Sequence, residues 1–232
     1  MTDWERLIAN WQATLNAIER LGGAVARDAA HAAGIQHTDI WGLYTEPPAT
    51  RAEVRSVEAA IGGPLPAALK ELFLTDARRV EFCWQLPEDL MEKEPFPDIF
   101  RGGFSLSLDR IPDIQAEMQG MAAVFEDASE FDLTWQDKLT VMRGYPGDYY
   151  VFDRRDGITE EVLYLSHEDD AGHGYVLGTD FADFLRRWSA LGCPGPEHWQ
   201  WLPFTSGPTS LLQPDGTAAR LWRKTIGLEL PP

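Results

Sequence analysis

The chain is predicted to be an α+β protein: an antiparallel sheet of about five or six strands flanked by helices, with a helical extension at the N-terminus. Three observations predict it. Apolar residues recur at helical spacing through the segments before Val80. From Val80 the pattern changes to the alternation of strands, punctuated by Gly-, Pro- and Asp-containing turns. Residues 180–191 then return to helical spacing and stop at Gly192.

Residues 2–21 place Trp4, Leu7, Ile8, Trp11, Leu15, Ile18 and Leu21 on one helix face. Thr2 or Asp3 can cap this helix, and Gly22-Gly23 ends it. A second short helix is expected over about 24–33, stopping at Gly34 and completing a helical pair. Pro47-Pro48 breaks the chain. Residues 50–61 form the next helix, with Thr50 and Glu53 in capping-box spacing and Gly62-Gly63-Pro64 as the stop. Pro66 suits the first turn of a further helix, where its missing N–H has no partner to lose; Leu69, Leu72 and Phe73 make the apolar face. Residues 80–84 and 103–108 alternate as strands, and 109–124 read as a helix. Residues 126–132 read as an acidic surface loop. Strands over 139–142, 148–153 and 162–165, with turns at 145–147 and 154–157, suggest a meander. Asp180 caps the closing helix, whose face carries Phe181, Phe184, Leu185 and Trp188. Residues 193–214 are rich in Pro, Gly and Trp and read as irregular, followed by a short helix near 215–224. The expected organisation is an extension over 1–48, an α+β domain over 49–192 and a C-terminal extension over 193–232 packed on it.

A chain of 232 residues, 44% of them hydrophobic, can bury a core without staples. Cys83 and Cys193 have no paired spacing and read as reduced thiols. The N-terminus lacks a basic stretch followed by an apolar one, and no apolar run is long enough to span a bilayer, so a cytoplasmic location is expected. Richness in Ala, Arg, Asp and Gly with only two Asn suggests a GC-rich bacterial genome. The formal net charge is −17, and only residues 201–232 carry more Lys and Arg than Asp and Glu. Such a field repels phosphate backbones and anionic membranes, which argues against both as partners. It attracts a basic protein and speeds the encounter. Solubility accounts for the charge equally well.

The segment 57–74, VEAAIGGPLPAALKELFL, resembles the helix–Leu-Pro–helix opening of the SUKH superfamily of Smi/Knr-like domains. GDYYVFD at 147–153 resembles that family's aromatic central strand, EVLYL at 161–165 the next strand, and DFADFL at 180–185 its closing helix. Order and spacing agree over about 51–191. The chain departs from the pattern after Leu74, where Thr75-Asp76-Ala77-Arg78-Arg79 stands in place of a frequent Asn-Gly turn, and the stretch 87–137 is longer than the family minimum. The resemblance implies a protein-binding module with no shared catalytic residues and no cofactor. Many bacterial members are immunity proteins that neutralise a cognate toxin by stoichiometric binding and occlusion of its active site; others are regulatory scaffolds.

The residues themselves offer little chemistry. His167, Asp169, Asp170 and His173 could hold a divalent ion in a metal-dependent hydrolase, but their spacing fits no helical metal motif, and a solvated acidic loop is the preferred reading. Ser166 next to His167 is adjacency in sequence, and neighbouring side chains on a strand face opposite ways. No G-x-S-x-G, phosphate-binding loop or dinucleotide fingerprint occurs. No catalytic residue, metal or cofactor is therefore assigned. Three acidic runs, Glu88-Asp89 with Glu92 and Glu94, Glu126-Asp127 with Glu130 and Asp132, and Glu168-Asp169-Asp170, each read by default as solvated surface; as partner-binding candidates the residues named are Glu126, Asp127, Glu130, Asp132, Glu168, Asp169 and Asp170. Trp4, Trp11, Trp84 and Trp188 fall on apolar periodicity and are expected in the core. Trp41, Tyr44, Trp135, Trp199 and Trp201 lie in irregular stretches and are read as packing the extensions in preference to contacting a partner. An exposed edge strand could pair two copies, so monomer or weak homodimer is expected.

Overall fold

A computed structural model describes residues 2–26, 42–125, 130–144, 147–155, 157–168 and 172–231. In chain order the described elements are α1 (Asp3–Arg20), β1 (Ala24–Ala26), β2 (Tyr44–Glu46), α2 (Arg51–Ala60), α3 (Ala67–Thr75), β3 (Arg79–Gln85), β4 (Arg101–Ser107), α4 (Ile111–Ala122), α5 (Glu130–Trp135), β5 (Lys138–Arg143), β6 (Tyr149–Asp153), β7 (Val162–Leu165), β8 (Val176–Gly178), α6 (Phe181–Ala190), α7 (His198–Trp201) and α8 (Thr217–Thr225).

The helix ends follow the expected capping chemistry. Glu5 N–H donates to Thr2 Oγ1 at 3.1 Å, and Thr2 N–H returns a bond to Glu5 Oε2 at 2.7 Å. Thr50 and Glu53 repeat the reciprocal pair at the start of α2. Asp183 N–H donates to Asp180 Oδ1 at 2.7 Å at the start of α6. Each bond satisfies a backbone donor that the first helical turn leaves unpaired.

The α+β class, antiparallel pairing and helical flanks are those the sequence predicts. The strands, however, number eight among the described residues and divide into two four-stranded sheets. In the first, β3 lies between β4 on one side and β1 and β2, end to end, on the other. The second is the meander β5-β6-β7-β8. Gln115, a buried residue of α4, helps keep the sheets apart. Its Nε2 donates to Lys138 O at 3.0 Å and its Oε1 accepts from Thr140 N–H at 2.7 Å. The side-chain amide thus does for the β5 edge what a neighbouring strand would do. On β4, Gly103 N–H donates to Cys193 O and Gly195 N–H to Arg101 O, so residues 193–195 line half of that edge.

The helix expected from residue 24 is corrected at its start: Ala24–Ala26 is strand, paired with β3. A side chain at Gly23 would strike Gln85 O at 2.5 Å and Ile18 at 2.6 Å, so the chain leaves α1 pressed against β3, and Val25 continues the sheet into the core. Residues 27–33 of that expectation, and Trp41, lie outside the described residues. The expected acidic loop is helical from Glu130, in α5.

One core joins the two sheets, α1–α3, α6 and the C-terminal segment. Its seam is the turn after α6. Trp11 Nε1 donates to Ser189 Oγ at 2.7 Å, and Trp222 Nε1 to Leu191 O, Trp84 Nε1 to Gly192 O and Trp188 Nε1 to Pro194 O, each at 2.8 Å. Four indoles from α1, β3, α6 and α8 converge on six consecutive residues, and each buries a large apolar ring with its one polar atom satisfied. Cys83 and Cys193 are both buried. Among the described residues no helix is long and apolar enough to cross a membrane.

Candidate partner-binding face

A second, smaller core covers the outer face of the second sheet. Ile114, Met118 and Ala122 of α4 and Trp135 of α5 pack on Tyr149, Val151 and Leu165. Strand alternation puts Tyr149 and Val151 on this side, while Tyr150 and Phe152 face the main core. Phe125 and Phe131 close the cluster: Phe125 stacks on Trp135 with centroids 5.0 Å apart, and Phe131 meets Phe125 edge-on at 5.2 Å.

The loop between β7 and β8 is held against this cluster. The His173 ring lies 4.4 Å from Phe131 and 6.0 Å from Trp135, and the Thr134 methyl borders Gly174. Its base is pinned by Asp148, which is 2% exposed and accepts three bonds: from Tyr164 Oη at 2.5 Å, from His167 N–H at 2.9 Å and from His167 Nδ1 at 2.7 Å. Burial, with the neighbouring Tyr150 and Asp148, pushes the Tyr164 hydroxyl well above its ordinary range, so it stays protonated and donates. His173 Nδ1 lies 3.0 Å from Ser166 O, and Glu168 N–H donates to Ser166 Oγ at 3.2 Å.

These contacts bring together the described flanks of the two acidic runs. Phe125 and Phe131 belong to the first; Glu168, 63% exposed at its side chain, and Gly172 bound the second. Glu130 and Asp132 fall within α5. Glu126, Asp127, Asp169 and Asp170 lie outside the described residues. Beside the runs, Val124 is 74% and Leu133 52% exposed. Neither apolar residue stands out in the sequence, because exposure depends on where α4 ends and which side of α5 meets the sheet. The run at Glu88–Leu90 is elsewhere, on an exposed turn anchored by Phe96 against Phe204 and Trp222.

The two histidines of the metal reading are engaged structurally: His167 with Asp148, and His173 with Ser166 and the aromatic cluster. Among the described residues no group of three or more His, Cys, Asp or Glu is placed to hold a metal ion. Trp135 and Trp201 are fully buried, while Trp199 is 37% exposed.

The elements define an α+β module in which α4 and α5 cover the outer side of the second sheet with an aromatic and aliphatic cluster. The sequence model of the SMI1 / KNR4 family (SUKH-1) matches residues 48–187, and the chain belongs to that family. No curated protein matches the chain.

Proposed function

We propose that this protein is an immunity protein that binds a cognate bacterial toxin stoichiometrically through the α4–α5 face and blocks its active site. The carrying observation is the contact of Phe131 in α5 with His173 beyond β7, two segments whose sequences carry the acidic runs, with Val124 and Leu133 exposed. Binding hot spots combine apolar anchors with a charged rim. With a net charge of −17 the chain favours a basic toxin domain and accelerates its approach. Family membership supports a binding role without catalysis.

The test is capture of partners by the immobilised protein from an extract of its source bacterium, with washes at low and high salt and identification by mass. The expected partner is a single basic protein, toxic when expressed alone and harmless when co-expressed with this chain, whose capture weakens with salt. A housekeeping regulator as the salt-sensitive partner would replace this reading with that of a regulatory scaffold.

A further inference from the structure

Three sheet edges are closed by other parts of the chain. Gln115 covers β5, Val176 N–H and Leu177 O of β8 bond to Pro208 O and Leu212 N–H, and residues 193–195 cover β4 as far as Gly103. Beyond Gly103 the β4 edge stays open. The direction of its main-chain groups follows from the ladder. Leu86 N–H donates to Phe100 O at 2.8 Å and Leu108 N–H to Arg78 O at 3.0 Å, so the even-numbered residues of β4 bond to β3 and the odd-numbered ones face away. Gly103 N–H, which donates to Cys193 O at 2.8 Å, obeys that alternation. Ser105 N–H and C=O and Ser107 N–H therefore point off the sheet, and among the described residues no main-chain bond reaches them. Both serines border a cleft of about 410 Å³ whose other wall is Arg110, Asp113 and Glu117 with Arg143 of β5. Ser105 is exposed, and the paired Glu117 and Arg143 side chains are about half exposed. Ser105 and Arg143 also line a second pocket, of about 230 Å³, walled by Phe82, Phe104, Met142 and Trp188 between the two sheets. An open strand edge beside an apolar pocket is how sheets take up a foreign strand: main-chain bonds give affinity and the pocket selects a side chain.

We propose that the Ser105–Ser107 edge binds an extended peptide segment of a protein partner, which adds to β4 as a short strand and lodges one bulky apolar side chain in the pocket between the sheets. Donors and an acceptor at strand spacing match a peptide main chain. The edge lies in a cleft with α4 and β5 as its other wall, which admits a single extended chain but not the flat approach of a second folded sheet. Charge narrows the partner further. Glu117 and Arg143 neutralise each other, and Asp113 and Arg110 are exposed with opposite signs. The net charge of −17 then favours a basic residue next to the apolar one, placed beside Asp113, with Arg110 as the opposing charge. The inference does not rest on the toxin-binding reading and requires no toxin.

The experiment selects a displayed library of short random peptides on the immobilised full chain and resynthesises the enriched sequences with blocked ends. Affinity is read by fluorescence anisotropy and the bound register by amide exchange. The enriched peptides should share one apolar position with a basic neighbour. Their binding should protect the Ser105 and Ser107 amides and leave those of Phe104 and Leu106, already bonded to β3, as they are. Replacing the apolar peptide residue by Ala should weaken binding on the order of tenfold or more. N-methylating the peptide nitrogen that faces Ser105 O should weaken it on the order of tenfold. Ser105→Pro removes an outward N–H without touching the β3 ladder and should weaken the same peptides. If that variant does not fold, the N-methylated peptides carry the test on the parent chain. No enrichment over the bare support, or binding that survives N-methylation and leaves both serine amides unprotected, overturns the proposal. Protection of both amides in the free chain that grows with protein concentration would give the edge to a second copy and overturn it as well.

Discussion

Two groups of tryptophans in this molecule are treated in opposite ways. At the turn after α6, Trp11, Trp84, Trp188 and Trp222 each deliver an indole N–H to an acceptor within residues 189–194. On the outer face of the second sheet, Trp135 is as deeply buried, yet its N–H is unmatched and its aromatic neighbours leave Leu133 and Val124 in solvent. The first arrangement is complete: ring and polar atom are both used, and N- and C-terminal segments are tied to the family's helices and strands. The second leaves a buried indole N–H unpaired and two apolar side chains exposed.

The comparison can be broken most forcibly at the seam. Trp222→Ala removes a fully buried ring packed on Trp84 and Phe96 and strands Leu191 O, so it should destabilise by about 3–5 kcal/mol in urea unfolding. Next comes Gln115→Ala, which leaves Lys138 O and Thr140 N–H unpaired at a buried edge. It should cost about 1–3 kcal/mol and speed amide exchange at Thr140. Trp135→Phe keeps part of the stack with Phe125 and gives up an N–H that bonds nothing, so it should cost less than Trp222→Ala, about 1–3 kcal/mol for the smaller volume lost. A Trp135→Phe loss as large as that of Trp222→Ala would erase the contrast.

Acid sharpens the comparison from another side. Burial works against ionising Asp153, but the bonds from Arg155 and the charge of Lys138 outweigh it and hold its pKa at about 2. Below its ordinary value, about 3.9, the unfolded chain binds the proton first. The stabilisation is therefore complete above about pH 4 and is lost as pH falls through 2. Urea midpoints measured across this range should fall less steeply for Asp153→Asn than for the parent chain. The smallest stability effect belongs to the charged rim: Glu168→Lys should change stability by less than about 0.5 kcal/mol. It should nevertheless slow association with a basic partner at low salt, as stopped-flow mixing would show.

Much of the fold was legible because it is written locally. Thr50 with Glu53, Asp180 with Asp183 and the apolar stripes of α1 and α6 state their helices within a few residues. The three-residue strands β1, β2 and β8 are too short to show a period, and β1 exists because Gly23 lets the chain press against Gln85. The Gln115 amide that pairs with the β5 edge as a strand would is a tertiary contact that no hydrophobic pattern records. The acidic runs could be named from composition, but the contact of Phe131 with His173 joins segments separated by three strands, which no local pattern records.

The central claim is that the outer face of the second sheet is where a protein partner binds, and amide exchange of the complex with its captured partner tests it most directly. Protection should appear in α4, α5 and the loop between β7 and β8, with the α6 turn and α8 unchanged. Protection confined to α1 and α8, with α5 exchanging as in the free protein, would contradict the account.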